Sequence, residues 1–512
     1  MSLVIKGDLL TLLAWERQLP AELMSGQIHV KLALAWGMAL VTRFTEAQTL
    51  LSQVEEKADR DSDLSWRCRV ARAVVLGLTD DSAQARDVAG ECLRSGSLDA
   101  FNLNSLWNLT RYGHWKAGDW DAFYAVPKPE AEGDEATYVL AENYRLCLYG
   151  MAAAHKLQID DALRFYSDAR TLAEKYVGAK SVSAAMVTGL SALLRYERGE
   201  TNAAEIAVLD ELSIIETTVY HESFLSAYTV LVRAAMVRGD TERALMLLDR
   251  AQRLAGDRGW ERLVAMFLVE RVRLLLRERR VQEASDAADQ LQKIQDTHPA
   301  PQRCSWSDIH VGSAIVNGLL ALGSGRIDAA ARLLTTAYDE LLSTDNRHGA
   351  LRVGMELSNT FLLGGNLTGA LDVLRQVMAW ARNAKATNFV LERPRDFNQL
   401  LTVAERANLG DDVEHRAFFE YLVTKSRNQD GTSNKPTDKR ASKSALSARE
   451  RSIIEFIAGG QSNKQIARTL GVTPETVKTY VKRIFIKLSA ESRAQAVVRA
   501  QSLGVLRNFP TS

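Results

Sequence analysis

Proline is scarce in this chain, and long apolar runs are missing from it. Only 9 prolines occur in 512 residues, so long helices are permitted along almost the whole length. No stretch approaches the roughly 20 consecutive apolar residues that a membrane helix needs. The first residues carry charges at Lys6, Asp8, Glu16 and Arg17, which excludes the apolar segment of a signal peptide. We therefore expect no membrane association and a cytoplasmic location.

Cysteine is also scarce, and the common catalytic and metal-binding motifs are missing. The four cysteines, Cys68, Cys92, Cys147 and Cys304, form no CxxC pair, which argues against a zinc site and fits a reducing compartment. We interpret them as core residues. The sequence contains no HExxH, no GxSxG and no GxxxxGK[ST], the motifs of zinc proteases, serine hydrolases and phosphate-binding loops. We expect neither an enzyme nor a bound cofactor or metal.

The charge is divided unevenly along the chain. The whole sequence has a net charge of +1. Residues 425–512, however, hold 17 Lys and Arg against 6 Asp and Glu, whereas residues 1–424 hold 47 against 57. A basic tail on an acidic body is typical of a nucleic-acid-binding segment, because neutralising phosphates requires clustered cations.

A short pattern recurs along the acidic part: a glycine or polar residue, then Asp, Glu or Thr, then alanine. Glycine ends one helix, the Asp or Thr caps the next, and alanine lets the two helices approach closely. The alanines are Ala47, Ala122, Ala162, Ala203, Ala244, Ala284, Ala329 and Ala370. From Ala122 onward their spacing of 40–45 residues predicts paired helices. With a weaker unit near Ala85, about nine repeats over residues 10–424 would stack into a curved superhelix that resembles a tetratricopeptide-type solenoid.

The start of this region resembles a known family more closely. Residues 10–20 (LTLLAWERQLP) and 32–36 (LALAW) are similar to the beginning of the MalT-like repeat region of large LuxR-type activators. In that family an ATP-binding switch module precedes the solenoid. Because no phosphate-binding loop occurs here, ATP-driven switching is not expected in this chain, and a fragment of a longer ATP-dependent regulator stays open as an alternative.

Residues 425–444 contain almost no apolar residue, and we interpret them as a flexible basic linker. A small domain over residues 445–507 follows. Capping boxes at Ser447 and Ser462, and a cap at Thr473 before a proline, mark three helix starts. Gly471 ends the second helix, so residues of about 462–488 form a helix-turn-helix.

The third helix of this domain has two different faces. Val477, Val481, Ile484 and Leu488 are spaced 4, 3 and 4 residues apart, which places them on one buried stripe. The opposite side is polar and cationic, and we expect it to enter the major groove of double-stranded DNA. Its residues are Lys478, Thr479, Lys482 and Arg483.

This domain closely resembles the LuxR-type domain, through LSxRER at 446–451, GxSNKxIA at 460–467, TVK at 476–478 and KL at 487–488 with SRxQA at 492–496. The resemblance implies base reading by Lys478, Thr479 and Lys482. It implies phosphate contacts from the residues Ser462, Asn463, Lys464, Thr473 and Thr476. Two positions depart from the family: Tyr480 stands where histidine is usual and could donate to a phosphate, and Ile486 is expected to pack on a neighbouring segment.

The family also supplies expected partners. The resemblance implies RNA polymerase as a partner, activation rather than repression, and pairing of two protomers through a fourth helix over residues 493–503. Packing of that helix within the domain is the alternative, because one apolar stripe serves either purpose.

Two groups in the repeat region are candidates for binding an effector. We interpret the aromatic group as core and the arginines as a solvated helix face. The aromatic residues are Trp107, Tyr112, Trp115, Trp120, Phe123 and Tyr124, and the arginines are Arg271, Arg273, Arg277, Arg279 and Arg280.

The sequence thus predicts an all-α protein, a solenoid followed by a four-helix LuxR-type domain. Its expected function is transcription regulation with an unknown small molecule or protein as effector, and a repeat scaffold with secondary DNA binding is the alternative.

Overall fold

The fold is known from a computed structural model, which describes residues 27–58, 62–94, 98–128, 139–218, 220–300, 302–392, 394–407, 409, 413–433, 448–487, 490, 492–502 and 506. Within these ranges the regular secondary structure is helical, with no strand. The predicted all-α fold class is confirmed. Residues 10–20, which carry part of the resemblance given above, and Ser447 lie outside the described residues.

Antiparallel helix pairs build the repeat region. They are α1 (Ile28–Leu40) and α2 (Phe44–Glu55), α3 (Asp63–Leu78) and α4 (Ser82–Arg94), α5 (Ala100–Ala117) and α6 (Trp120–Ala125), α7 (Val139–His155) and α8 (Ile159–Tyr176), α9 (Val182–Glu197) and α10 (Thr201–Thr218), α11 (His221–Val237) and α12 (Thr241–Gly256), α13 (Glu261–Arg277) and α14 (Val281–Thr297), α15 (Ser307–Gly323) and α16 (Ile327–Ser343), and α17 (Arg347–Leu363) and α18 (Leu367–Ala384). A short helix, α19 (Asn388–Leu391), and two longer ones, α20 (Pro394–Arg406) and α21 (Val413–Ser433), follow.

Small side chains do lie where paired helices meet, but the pattern read from the sequence is shifted in two repeats. Ala162, Ala244 and Ala370 are fully buried, as expected. In α10 the buried alanine is Ala204, one residue after the predicted Ala203. In α16 it is likewise Ala330 rather than Ala329. In both repeats the buried alanine lies five residues after the turn glycine, as Ala244 and Ala370 do in their repeats, so position along the helix decides which alanine is buried.

Repeats that are distant in sequence touch across the superhelix. Trp260 Nε1 donates to the carbonyl of Leu78 at 2.8 Å, although 182 residues separate them. Ser305 N donates to Ser82 Oγ at 2.8 Å. Simple stacking of neighbouring repeats does not predict such contacts. The superhelix curves enough for its inner helices to meet, so part of its concave side is a protein interior.

The end of the repeat region differs from the predicted linker. Helix α21 continues to Ser433, and therefore covers the first part of residues 425–444. Ser426 is fully buried, and Arg427 donates to Glu405 of α20 at 2.6 Å. Helical structure thus extends beyond Lys425 despite the polar composition, and the ion pair between Arg427 and Glu405 joins this part of α21 to α20. Residues 434–447 lie outside the described residues.

The C-terminal domain has four helices: α22 (Ala448–Ala458), α23 (Asn463–Leu470), α24 (Pro474–Lys487) and α25 (Arg493–Ser502). They share a core of buried apolar side chains, namely Ile453, Ile454, Ile457, Ile466, Ala467, Val477, Val481, Ile484, Ala496 and Ala500. All four cysteines of the repeat region are buried, as predicted, and they form no disulfide with one another. Among the helices that the structure describes, none is long and apolar enough to cross a membrane.

Candidate functional site

The predicted helix-turn-helix is formed by α23 and α24. Ser462 Oγ accepts from Gln465 N, and Gln465 Oε1 accepts from Ser462 N, which completes the predicted capping box. Gly471 has φ of 65°, a conformation that glycine adopts without steric cost. Thr473 Oγ1 then accepts from Thr476 N at 3.2 Å and starts α24. Local hydrogen bonds therefore set the residues at which α23 and α24 begin, on either side of the turn.

Helix α24 has the two faces that the sequence predicts. Val477 and Ile484 are fully buried in the domain core, and Val481 is 9% exposed. Lys478, Thr479 and Lys482 are exposed. Lys478 lies 3.4 Å from Glu475 in a solvent-exposed ion pair, of a kind that contributes little to stability, so a phosphate or base edge can replace the carboxylate at low cost. Leu488 and the side chains of Arg483 and Ile486 lie outside the described residues.

The residues expected to contact phosphates have different surroundings. Ser462, Lys464 and Thr473 are exposed at the starts of α23 and α24, where free backbone N–H groups favour anions. Asn463 is partly buried, since its Oδ1 accepts from Arg493 of α25 at 2.7 Å. Thr476 is also partly buried, and its hydroxyl lies 2.8 Å from that of Thr473.

Two contacts that support the helix-turn-helix were not predicted from the sequence. Arg493 also donates to the carbonyl of Gln461 at 2.6 Å, and thus ties the start of the helix-turn-helix to α25. The Ser492-Arg493 pair at the start of α25 was the available signal in the sequence. Tyr480 is half-buried and packs against the domain core, so its ring stabilises α24 whatever its hydroxyl contacts.

Ser492 caps the start of helix α25, since its Oγ accepts from Gln495 N at 3.2 Å. Ala496 and Ala500 face the core of the same domain. Arg499 forms an ion pair with Asp210 of α10 in the repeat region. The structure therefore uses this helix for packing within one chain, and pairing of two chains remains a prediction. Leu503 and Gly504 lie outside the described residues.

The concave side of the repeat region contains two buried ionic clusters. The first, the Asp80 cluster, consists of Asp80, Tyr112, Lys116, His221, Glu222, Arg262 and Asp308. Arg262 donates to Asp80 at 2.6 Å and to Glu222 at 2.7 Å. Burial by itself would raise the pKa of Asp80, but the charges of Arg262, His221 and Lys116 lower it. Burial lowers the pKa of His221 to about 4, so this histidine is neutral near pH 7.

The second, the Glu197 cluster, consists of Glu197, Arg233, Glu270, Arg273, His348, Arg352 and Glu392. Glu197 is fully buried and receives two hydrogen bonds from Arg352, at 2.8 and 3.1 Å. Arg233 donates to both oxygens of Glu270, at 3.2 and 2.6 Å. Together the two clusters join repeats from both sides of the superhelix.

A cavity of about 320 Å³ lies between the two clusters, and its lining corrects one sequence interpretation. Arg273 was expected on a solvated helix face, yet it is 8% exposed and lines this cavity. Arg277 and Arg279 are exposed, as expected, whereas Arg271 and Arg280 are half-buried. Of the aromatic group, Tyr112, Trp115 and Phe123 are buried, which agrees with a core role. Tyr124 is 50% exposed, and Trp115 also lines the cavity. The helical spacing of Arg273 could not reveal this, because its neighbours come from other repeats.

Comparison with known families supports the reading of the C-terminal domain. Residues 444–500 match the family GerE, described as bacterial regulatory proteins of the luxR family. The C-terminal region is thus a LuxR-type helix-turn-helix domain. Together with the helical repeats that precede it, this is the architecture of a LuxR-type regulator with a tetratricopeptide-like region.

Two relatives are similar over larger parts of the chain. The chain is 20% identical over 513 residues to the HTH-type transcriptional regulator AlkS of Pseudomonas putida, covering 98% of this chain and 56% of that protein. It is 29% identical over 287 residues to the serine/threonine-protein kinase PknK of Mycobacterium tuberculosis, covering 52% of this chain and 25% of that protein. The chain therefore spans between a quarter and just over half of the length of these relatives.

Among solved structures, a Rap protein complexed with Competence and Sporulation Factor is similar with a TM-score of 0.51 and 14% identity. The match covers 70% of this chain and 98% of that protein. At this identity the likeness concerns the helical-repeat fold alone.

Proposed function

We propose that this protein is a sequence-specific, DNA-binding transcription regulator. The observation that carries the proposal is the exposed face of α24. Lys478, Thr479 and Lys482 project from a helix whose other face is fixed in the domain core. Lysine can bind the acceptors of guanine in the major groove, and threonine is short enough to contact a thymine methyl or a base edge. Transcription regulation is also the function in the name of the relative AlkS.

The remaining DNA contacts are proposed to hold the domain on the duplex. Lys464, Ser462, Thr473 and Thr476 supply a cation, hydroxyls and two helix N-termini to the phosphates. Asn463 and Tyr480 have packing roles as well, and their free polar atoms are proposed as further phosphate contacts. Arg483 completes the cationic face by its position in the sequence.

We propose that the chain has three functional parts. Residues 1–424 sense an effector, residues 425–444 connect the repeat region to the C-terminal domain, and residues 445–507 bind DNA in the cytoplasm. Activation through contact with RNA polymerase is part of the proposal and is supported by resemblance to LuxR-type activators. No catalytic step is part of it. A homodimer on DNA through the helix at 493–503 would place two half-sites about one DNA turn apart, and would require Arg499 to exchange its contact with Asp210.

The test is recovery of DNA fragments from genomic DNA by the full chain, followed by sequencing. We expect a common motif with two half-sites, and its loss in the K478A/K482A double variant. The control variant K293A removes an exposed lysine from α14, and should recover the same fragments as the unchanged protein. Recovery of fragments without a common motif, or the same motif with the double variant, would contradict base reading by α24 and favour the scaffold alternative.

A further inference from the structure

The cavity between the two ionic clusters is an elongated slot with an apolar middle. On α11 it runs from Glu222 to Arg233, and on α13 from Arg262 to Arg273, in each case over roughly 16 Å of helix. The side chains between these ends are mostly apolar, and those on three neighbouring helices are Leu225, Met266, Val269, Val311 and Ile315. A volume of about 320 Å³ is at the lower end of the range for small-molecule sites, which begins at about 300 Å³.

Most cations that line this slot are already neutralised by carboxylates. Lys116 lies 2.8 Å from Glu222 and 3.0 Å from Asp308. The arginines Arg233, Arg262, Arg303 and Arg352 each make an ion pair of 3.1 Å or less with at least one carboxylate.

Arg273 differs from these cations. Its one hydrogen bond to a described residue runs from Nη1 to Glu270 Oε1 at 3.2 Å. The same oxygen accepts a shorter bond, of 2.6 Å, from Arg233. Arg273 Nε is buried without a partner. Burial is also the first cause of the lowered pKa of Arg273, with Glu270 opposing it, as expected for a guanidinium that lacks a full counter-charge.

The unpaired edge of Arg273 is the one that binds carboxylates elsewhere in this chain. Arg43, Arg72, Arg145 and Arg233 each donate from Nε and Nη2 to the two oxygens of one carboxylate. This paired geometry is the strong mode of arginine–carboxylate recognition. In Arg273 the same two groups have no partner among the described residues. At the other end of the slot, Trp115 Nε1 is a second buried donor without a partner.

We propose that this slot binds a small organic acid, with its carboxylate on the Nε and Nη2 edge of Arg273 and its apolar body against Met266, Val269 and Ile315. This inference deepens the proposed function, because it gives the sensed molecule a chemical class. It rests on that function, since the bound acid is an effector only if the protein is a regulator. Binding in the slot would link α11 and α13 to α15 and α17 across the superhelix.

The test is isothermal titration calorimetry of the full chain without DNA. The probes are hexanoate, octanoate and 3-phenylpropanoate, each compared with its primary amide, which has the same shape without the charge. We expect one site per chain and at least one carboxylate that binds at least tenfold more tightly than its amide. Saturable binding of none of these acids, or equal binding of acid and amide, would overturn the proposal.

Variants locate the site. R273Q should weaken binding of that acid at least tenfold, and R273K, which keeps the charge but loses the paired edge, should have an intermediate effect. R253Q removes an exposed arginine of α12 and should bind as the unchanged protein does. Circular dichroism checks that each variant is folded, and R273K keeps the test valid if R273Q is not. Unchanged affinity in both Arg273 variants would contradict the assignment.

The two proposals can fail separately. The K478A/K482A variant should lose its DNA motif and keep its affinity for the acid. If the acid does not bind while the DNA motif is recovered, only the effector class is wrong. If the acid binds while no motif is recovered, the regulator function fails and the pocket stands as a ligand site.

Discussion

Individual lysines in the C-terminal domain have different expected roles because they lie at different positions on their helices. Lys482 lies on the exposed face of α24, and Lys464 lies at the start of α23. A side chain that reads a base adds specificity, whereas one that binds a phosphate adds affinity that falls with salt. Motif and periodicity were sufficient to predict both positions, since each is set by local helix geometry. The hydrogen bond from Arg493 to Asn463 could not be predicted, because it joins two helices whose relative position local sequence patterns do not give.

Replacing these two lysines should separate the two roles. K482A should cost about 1–3 kcal/mol of binding free energy and relax the preference at one base pair. K464A should weaken binding to all sequences alike and reduce the salt slope by about 1. Fluorescence anisotropy at several salt concentrations measures both. Equal loss of affinity and specificity in the two variants would contradict the assignment, and K293A is the control.

His221 predicts a pH dependence of stability. It is fully buried, with Nε2 2.9 Å from Tyr112 Oη, and faces Asp80, Glu222, Lys116 and Arg262. Its pKa is lowered by burial to about 4 from an ordinary 6.5, so the unfolded chain takes up a proton at higher pH than the native protein. The native state therefore loses stability as pH falls from about 6.5 towards 4, by up to about 1.4 kcal/mol per pH unit.

Urea unfolding between pH 7.5 and pH 5 tests this dependence. The H221Q variant should lose less stability over that interval than the unchanged protein. The control H29Q removes an exposed histidine of α1 and should leave the slope unchanged. Identical slopes for H221Q and the unchanged protein would show that another group causes the acid sensitivity.

At the scale of helices, close approach depends on small residues. Gly189 of α9 lies against α11, and a Cβ there would meet Ser223 Oγ at 2.1 Å and the Ser223 carbonyl oxygen at 2.6 Å. The sequence pattern predicted such packing through alanines after the helix turn and missed this glycine. It also missed Ala204 and Ala330, because the buried position lies five residues after the turn glycine even where another alanine comes one residue earlier.

G189A should therefore destabilise the repeat region by several kcal/mol, since the backbone of α11 must move. G256A, at the end of α12, adds a methyl group where no atom lies within 4 Å. It should leave stability unchanged or raise it by up to about 1 kcal/mol, because alanine restricts the unfolded chain. Thermal unfolding of both variants checks the difference. A similar melting temperature for the two variants would contradict close packing at Gly189.

At the scale of the whole molecule, ion pairs join repeats of the superhelix that are distant in sequence. Arg262 joins Asp80, Glu222 and Asp308, from three other repeats. Period and capping predicted the number and order of helix pairs, and nine pairs are present among the described residues. They could not predict that Asp80 would meet Arg262, since that contact depends on the accumulated curvature of the repeats between them. The cavity beside Arg273 was unpredictable for the same reason.

Replacing Arg262 should weaken the contacts between distant repeats and let the superhelix expand. R262M leaves two buried carboxylates without their main partner, which typically costs about 3–5 kcal/mol. We expect a lower melting temperature and a larger radius of gyration by small-angle X-ray scattering. R332M, at an exposed position of α16, is the matched control. An unchanged radius and melting temperature in R262M would show that stacking of neighbouring repeats is sufficient to set the shape.

The most direct test of the central claim is the ratio of two affinities of the full chain. One is for a DNA site recovered from the genome, and the other is for a shuffled duplex of the same composition, both at one stated salt concentration. The exposed face of α24 predicts that the recovered site binds at least about 10³-fold more tightly, and that the ratio falls in K482A. A ratio near one in the unchanged protein would contradict sequence-specific reading by this helix.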